Sequence, residues 1–383
     1  MDGSDALTIA VVGDLANIDR ASWDALANPA DAPYDPFVSW DFLQALEESG
    51  CASAEQGWQP AHVAARDPRG ALVGAMPLYA KDHSYGEYVF DHAWADALHR
   101  AGGRYYPKLQ CAVPFTPVPG RRIFARELSV ELALAQGALG LAQRADASSV
   151  HATFASEDLC ARLKQLGYLT RIGLQYHWFN RDYATFADFL AELSSQKRKT
   201  IRRERARACA GVTVRRLRGA EIGTCDWDFF FRCYMDTGSR KWGSPYLNRE
   251  FFTLLGERMA DQCVLFIADI DGRPVASALN LIGGDALYGR YWGRVVDIPF
   301  LHFEVCYYQA IELAIELGLS RVEAGAQGDH KLARGYVATP TYSAHWIGHP
   351  GLRDAIAHYL RAEAPAVVEE VEALEEATPF KRA

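Results

Sequence analysis

Between residues 61 and 90, apolar and polar positions alternate with the period of two that is typical of β-strands. Turn-forming residues interrupt the alternation at 67–70 and 81–83, which predicts a meander of antiparallel strands. The pattern returns in the second half, where Ala65 aligns with Ala268, and Tyr85 with Tyr288, without a gap. A supersecondary unit that occurs twice explains this repeat, although two unrelated hairpins of similar composition would also resemble each other.

Each predicted meander is followed by a helix and by further strands. In the first half an irregular insert at 91–122 comes first, and a helix at 128–144 follows it. In the second half the helix begins at residue 300. This order predicts mixed sheets with helices on both faces, and domains at 1–183 and 184–383.

The helix that begins at residue 300 carries an unusual carboxylate. A spacing of 100° per residue places four polar side chains on one arc and leaves the rest of the surface apolar; the four are His302, Gln309, Glu312 and Glu316. Glu304 lies on the apolar side, where a carboxylate has to be paired, protonated or used in catalysis. The alternative interpretation is that Glu304 binds the free amides at the helix start, with Pro299 just before it.

A polar loop follows the next predicted strand, near residue 322. It contains the glycines Gly325 and Gly328 and the polar residues Glu323, Gln327, Asp329, His330 and Lys331. Loops at strand ends are common positions for binding and catalytic residues. The sequence therefore predicts a functional site where this loop meets the helix.

The segment 188–210 is predicted to be a helix and is strongly basic. Its cationic residues are Lys197, Arg198, Lys199, Arg202, Arg203, Arg205 and Arg207. Two interpretations are open, a solvated helix surface or a cradle for the phosphates of a nucleotide, a coenzyme or an RNA end. The acidic run at 369–376, in a predicted carboxyl-terminal helical tail, is interpreted as a solvated face.

Composition adds limits on the class of protein. The 383 residues are 49% apolar, and the net charge is −8 with a pI near 5.8, which disfavours a general nucleic-acid binder. The amino terminus is acidic and no apolar run is as long as a membrane span, so we predict a cytoplasmic protein. The eight cysteines form no CxxC pair and no metal-finger spacing, so we predict no metal.

Several runs of sequence resemble known families. A meander, a helix and a fifth strand that occur twice look like a tandem acetyltransferase-type (GNAT) fold, and the run at 197–214 resembles the basic helix of Fem-type peptidoglycan-bridge aminoacyltransferases. The runs PFVSWDFLQALEESG, VPFTPVPGRR, HFEVCYYQAIE and EAGAQGDHKLARGY are similar to a bacterial family of N-acyltransferases that are described as FemAB-like. The resemblance implies an α/β fold with two tandem GNAT-like domains.

The resemblance implies an N-acyltransferase that moves an acyl or aminoacyl group from acyl-coenzyme A or aminoacyl-tRNA to an amine. Such a reaction needs a base, for which Glu304 and His330 are the candidates. Lys331 and Gln327 are predicted to stabilise the developing negative charge or to bind a phosphate of the donor. Tyr308 is predicted to protonate the leaving group.

Four further residues are predicted to bind substrate. Arg290 and Trp292 precede the helix and are expected to line a cleft for a small-molecule or peptide acceptor. The glycine-rich pyrophosphate pattern of acetyltransferases is replaced by GRVVDIPFLHFE at 293–304, whereas Arg121 and Arg122 precede the helix of the first half and are predicted to bind phosphate there. The alternative function is a non-catalytic module that binds a cell-wall peptide, an amino sugar or tRNA.

Overall fold

The computed structural model describes residues 7–240, 245–325 and 328–381. The chain forms two compact units, Met1–Gly173 with Pro340–Glu369, and Leu174–Thr339 with Glu370–Ala383. The division into domains at 1–183 and 184–383 stays a prediction.

The first unit alternates strands with short helices. Its elements are β1 (Thr8–Val12), α1 (Arg20–Ala27), α2 (Trp40–Glu48), β2 (Trp58–Pro60), β3 (His62–Arg66), β4 (Leu72–Met76), β5 (Leu78–Lys81), α3 (His92–Arg100), β6 (Lys108–Cys111), β7 (Phe124–Ala125), α4 (Leu128–Arg144), β8 (Ser149–Ala155) and α5 (Glu157–Leu163). Ser39 caps the start of α2, because its hydroxyl accepts a hydrogen bond from the Phe42 amide.

The second unit contains the helix and the loop that the sequence singled out. The elements from the unit boundary onward are β9 (Leu169–Phe179), α6 (Phe186–Glu192), α7 (Ser195–Ala208), β10 (Thr213–Arg218), α8 (Thr224–Arg240), α9 (Arg249–Arg258), β11 (Cys263–Ile270), β12 (Arg273–Ile282), β13 (Ala286–Arg294), α10 (Leu301–Phe303), a π-helical turn (Glu304–Tyr308), α11 (Gln309–Glu316), β14 (Arg321–Glu323), β15 (Val337–Ile347) and α12 (Pro350–Glu376). β9, β15 and α12 each contain a boundary between the units.

Both units have the mixed sheets that the order of elements predicts. In the first unit β6 and β8 are parallel, and β5 pairs antiparallel with β6. In the second unit β10, β11, β12 and β13 are antiparallel, β13 and β14 are parallel, and β14 pairs antiparallel with β9. Helix α4 packs on the sheets of the first unit through Leu134 and Ala138, and α11 packs on the second through Ile311. These apolar faces exclude water and hold the sheets in place.

The predicted repeat is only partly present. The hairpins β3–β4 and β11–β12 correspond, but the third strand of the first half, expected to run to residue 90, is wrong. The chain leaves β5 at Lys81 and enters a loop, because Gly86 and Tyr88 have φ angles of 80° and 60°, which a strand does not allow. β6, which comes from the insert, takes the place of the third strand beside β5.

The predicted basic helix is interrupted. Leu193, between α6 and α7, forms an isolated β-bridge with Phe380, so the cationic residues lie on α7 alone. Among the residues that the structure describes, no helix combines the length and the apolar character that crossing a lipid bilayer requires.

Candidate functional site

A π-helical turn interrupts the helix that the sequence placed at the centre of the site. The turn covers Glu304–Tyr308. Phe300, which precedes the first helical residue Leu301, has a φ of 68°. Because a π turn contains an extra residue, side chains before it are rotated relative to those after it. His302 therefore does not share an arc with Gln309; its ring centroid is 5.1 Å from that of Trp292. The expectation of 100° per residue along the whole helix is wrong for this reason.

Glu304 is fully buried, and both oxygens of its carboxylate accept hydrogen bonds. Arg205 of α7 donates to both oxygens, from Nε at 3.0 Å and from Nη2 at 2.9 Å, and Gln309 Nε2 donates at 2.7 Å. The described hydrogen bonds of this carboxylate do not go to the amides of the helix start. Because the side chain is 0% exposed, a substrate could reach this carboxylate only after neighbouring groups moved. Its role as the base stays a prediction.

Tyr308 is directed toward α7. Its hydroxyl donates a hydrogen bond to Glu204, which also accepts from Nη2 of Arg334 at 2.9 and 3.0 Å. Tyr308 is 0% exposed, and burial raises the pKa of its phenol. The hydroxyl is thus part of a buried network, and its predicted role in protonating a leaving group stays untested.

Tyr307 and His330 form a hydrogen-bonded pair, with 2.9 Å between the Tyr307 hydroxyl and His330 Nε2. The Tyr307 side chain is buried, and burial raises the pKa of its phenol, whereas His330 is exposed. The rings of His302 and Phe303 lie 6.1 and 5.6 Å from that of His330. A protonated phenol therefore lies beside an imidazole that a substrate can reach.

Two contacts fix the loop that carries His330. Arg334 Nη1 donates to the His330 carbonyl oxygen at 2.6 Å, and the guanidinium lies 3.4 Å from the centroid of the Phe303 ring. Since Arg334 is held by Glu204 on α7, this loop is tied to two helices. The imidazole is thereby held beside Tyr307.

Lys331 is turned inward. It is 1% exposed, its Nζ donates to the Gly325 carbonyl oxygen at 2.6 Å, and burial lowers the pKa of its ammonium group to about 8. The ammonium group therefore closes the loop between Gly325 and the 3-10 helix Asp329–Arg334. Gln327, its predicted partner, lies outside the described residues.

Strand β14 ends beside this pair, while its parallel neighbour β13 continues. β13 and β14 pair only from Ala286 with Arg321 to Tyr288 with Glu323, and β13 continues to Arg294 after β14 has ended. Trp292 lies on this extension and contacts His302. Arg290 lies there too and donates to the Tyr291 hydroxyl at 3.3 Å. The structure thus brings Trp292, Tyr307 and His330 into one continuous group of side chains.

Two residues of this group, His302 and Tyr307, were not predicted. Regular helical spacing placed His302 on the polar arc with Gln309, and it gave Tyr307 no role. The available signal is the aromatic cluster in the run HFEVCYY, in which His302 and Tyr307 are five residues apart. That spacing matches one turn of a π helix.

The predicted phosphate ligands of the first unit bind carbonyl groups. Arg122, 1% exposed, donates to the carbonyl oxygens of Thr153 and Val118 at 2.8 and 2.6 Å. Arg121 donates to the Leu26 carbonyl oxygen at 2.7 Å. Both guanidinium groups hold the insert in place, and phosphate binding by them stays a prediction.

The outer face of α7 is cationic. Lys199, Arg202, Arg203 and Arg207 are exposed, and no ion pair of theirs occurs among the described contacts. Among the described residues, no group of three or more His, Cys, Asp or Glu side chains is arranged to hold a metal ion. α7 therefore has two faces, one that supports the site through Glu204 and Arg205 and one that is free to attract anions.

Comparison with solved structures supports this description of the fold. FemX has a TM-score of 0.55 at 14% identity, covering 89% of this chain and 98% of its own. L-PGS from Bacillus licheniformis has a TM-score of 0.52 at 11% identity, covering 87% and 99%. A conserved protein of unknown function from Bacteroides thetaiotaomicron has a TM-score of 0.54 at 11% identity, covering 88% and 99%. At these identities the likeness shows the fold alone, and the predicted α/β fold class is confirmed.

The fold defines a mixed α/β protein with helices packed on its sheets. The chain belongs to the FemAB-like family, described as peptidoglycan biosynthesis/recognition, whose family model matches residues 14–382. The predicted family is thereby confirmed. The comparison with curated proteins found no match.

Proposed function

We propose that this protein is an N-acyltransferase that joins an acyl or aminoacyl group to an amine in the second unit. The observation that carries the proposal is the exposed His330 imidazole hydrogen-bonded to the buried Tyr307 phenol, near the part of β13 that extends beyond β14. An imidazole that can accept a proton, in contact with a phenol that carries one, can move a proton between two reacting atoms.

In the proposed reaction the amine nitrogen attacks the acyl carbonyl carbon. A C–N bond forms, and the C–O or C–S bond to the donor breaks. His330 takes the proton that the amine loses, Tyr307 gives its own proton to the departing oxygen or sulfur, and His330 then restores the Tyr307 proton. One proton therefore passes from the amine to the leaving group, and both side chains return to their starting state.

The oxyanion of the tetrahedral intermediate needs hydrogen-bond donors. The part of β13 after Tyr288 has no β14 partner among the described residues, so its backbone amides on that side are candidates. Lys331, held at the end of β14 by the Gly325 carbonyl oxygen, adds a positive charge nearby. Trp292 and His302 supply the aromatic wall against which an acceptor would be oriented.

The donor that the charges favour is aminoacyl-tRNA. Four exposed cations on α7, without described ion pairs, suit a polyphosphate backbone. At the start of the central helix, by contrast, Arg294 is paired with Asp297, so this position carries an acid where a coenzyme A pyrophosphate would need donors. Acyl-coenzyme A is the second candidate donor.

The experiment supplies purified protein with labelled aminoacyl-tRNA or acetyl-coenzyme A and with amine acceptors that include peptidoglycan precursor peptides. The expected result is a labelled amide with one of the two donors. Replacing Arg202 and Arg203 with Glu should then raise KM for the RNA donor and weaken its salt dependence. Thermal stabilisation by RNA or peptides, without an amide product from either donor, would instead support a non-catalytic binding module.

A further inference from the structure

A loop of the first unit presents a row of aromatic rings to solvent. Tyr85 and Phe90 are 62% and 61% exposed. The exposed His92 ring lies between them, with its centroid 6.1 Å from that of Tyr85 and 6.3 Å from that of Phe90. His83 continues the row, 5.2 Å from Tyr85. Single exposed apolar residues are common, but a contiguous group marks an interaction site.

Buried charges hold this loop from its inner side. Lys108 is 0% exposed and its Nζ donates to Ser84 at 2.8 Å, to Glu87 at 2.7 Å and to Asp91. Lys81, also buried, donates to the Tyr85 carbonyl oxygen at 3.3 Å. Burying charges is costly unless they are paired, and here the pairing fixes several points of one loop.

The backbone adds a further restraint. Gly86 has a φ of 80°, its carbonyl oxygen accepts a hydrogen bond from the Phe115 amide, and a Cβ at this position would lie 2.6 Å from the Phe115 ring. A side chain is therefore excluded here. The loop is pre-organised, so a ligand would not have to order it on binding.

Polar groups adjoin the rings, and their charges are balanced. Arg171 donates to the Phe90 carbonyl oxygen at 2.7 Å and pairs with Glu363 through two hydrogen bonds of 3.0 and 2.8 Å. The Tyr359 hydroxyl donates to the same carboxylate at 2.7 Å, and its ring is 49% exposed. The surface thus combines flat apolar faces with neutralised hydrogen-bonding groups.

We propose that this surface, formed by His83, Tyr85, Phe90, His92 and Tyr359, binds a neutral saccharide. A pyranose ring has an apolar face that packs on aromatic rings and an edge of hydroxyl groups that pair with imidazole, carboxylate and phenol groups. This site belongs to the first unit and does not depend on the transfer reaction proposed for the second.

The charges argue against the other occupants. A phosphate-bearing ligand needs an accessible unpaired cation, but Arg171 is bound to Glu363 and both buried lysines are engaged within the loop. A membrane-binding surface would carry Lys and Arg around its apolar side chains. A ligand whose polar groups are uncharged hydroxyls fits the paired state of these residues.

The test is calorimetric titration of the full chain with β-1,4-linked oligomers of glucose and of N-acetylglucosamine. Saturable binding is expected, and Tyr85→Ala or Phe90→Ala should each weaken it about tenfold or more. The matched control is Tyr246→Ala, which removes an aromatic ring that is 40% exposed from the second unit and should leave the affinity unchanged. Circular dichroism verifies that each variant is folded.

Three results would overturn the proposal. The first is no saccharide binding by the unaltered chain up to about 10 mM. The second is equal affinity in all variants. The third is binding of the loop to phosphatidylglycerol vesicles, lost in Tyr85→Ala, without any binding of oligosaccharide.

Discussion

Arg205 binds both carboxylate oxygens of Glu304, with Nε 3.0 Å from Oε2 and Nη2 2.9 Å from Oε1. One residue of the basic segment therefore neutralises the carboxylate that stands out on the apolar face of the central helix. Glu312 accepts from the same guanidinium at 2.5 Å, which extends the ion pair into a network. The carboxylate on the central helix and one cation of the basic segment are therefore partners in the same ion pair.

Replacing Arg205 with Met should lower the free energy of unfolding by about 3–5 kcal/mol, because it leaves the Glu304 carboxylate buried without its counter-ion. Urea unfolding at pH 7 measures this change. Arg203→Met is the matched control, since Arg203 is exposed on the same helix, and its effect should stay within about 0.5 kcal/mol. Equal losses in both variants would show that the ion pair does not stabilise the unit.

Glu304→Gln decides between a structural and a catalytic role for this residue. The described contacts predict a less stable protein whose folded fraction retains amide formation, because three donors already occupy the carboxylate. The measurement is the transfer rate, corrected for the folded fraction. A normally folded variant without transfer activity would identify Glu304 as the base.

Tyr307→Phe and His330→Gln should each reduce the rate of amide formation by about 10²-fold or more, because each breaks the proposed proton path. Tyr308→Phe is the matched control. It removes the neighbouring hydroxyl, which donates to Glu204, and should cost stability but leave kcat nearly unchanged. A larger loss of kcat in Tyr308→Phe than in Tyr307→Phe would transfer the acid role to Tyr308.

Lys331 should make stability depend on alkaline pH. Burial lowers the pKa of its ammonium group from 10.5 to about 8, so between these values the unfolded chain holds a proton that the native state has lost. Stability due to this group therefore rises as pH increases from 8 to 10.5. Lys331→Met should remove that rise, and urea midpoints of both proteins across the window measure the difference. The buried Lys81, whose pKa is lowered to about 7, contributes equally to both proteins and cancels.

The paired histidines of the first unit should resist protonation. His151 Nδ1 lies 2.8 Å from His345 Nδ1, both rings are buried, and burial lowers the pKa of His151 from 6.5 to about 3. Their imidazole NMR signals should stay constant from pH 7.5 to 5. Stability due to them falls as pH drops from 6.5 toward 3, because the unfolded chain gains the protons first.

NMR is the appropriate measurement for this pair, because a neighbouring carboxyl group changes stability with pH in the opposite direction. Burial raises the pKa of the Glu87 carboxyl from 4.5 to about 7, so between these values the native state keeps a proton that the unfolded chain loses. Its contribution to stability falls as pH rises from 4.5 to 7, in the opposite sense to the histidines. Imidazole protonation above pH 5 would contradict the prediction for His151 and His345.

Much of the fold could be predicted because local patterns encode it. Alternation predicted the β11–β12 hairpin, and helical spacing predicted α4 with bounds that agree with the observed ones. The third strand of the first meander could not be predicted, since the loop after β5 is shaped by Lys108, which lies more than twenty residues further along the chain. Pairing partners that are distant in sequence leave no periodic signal nearby.

The elements that surround the candidate site could be expected to lie together, whereas their function as a site stays a prediction. The loop with His330 and Lys331 and the strand with Trp292 lie beside the central helix, as expected from their order. The individual partners were not predictable, because a π turn changes which side chains face the loop. Tyr307 contacts His330, whereas Glu304 and Tyr308 face α7.

The sequence by itself determined the α/β class, most of the succession of strands and helices, and the segments in which titratable residues are concentrated. The reason is that apolar periodicity and turn residues act over a few neighbouring positions. Only the tertiary structure decided which charges are paired and which groups reach solvent. Glu304 and Lys331 are as polar as His330 in the sequence, yet the first two are buried and bonded while the imidazole is exposed. Burial and pairing depend on chain segments that are far apart along the sequence and meet only in the folded protein.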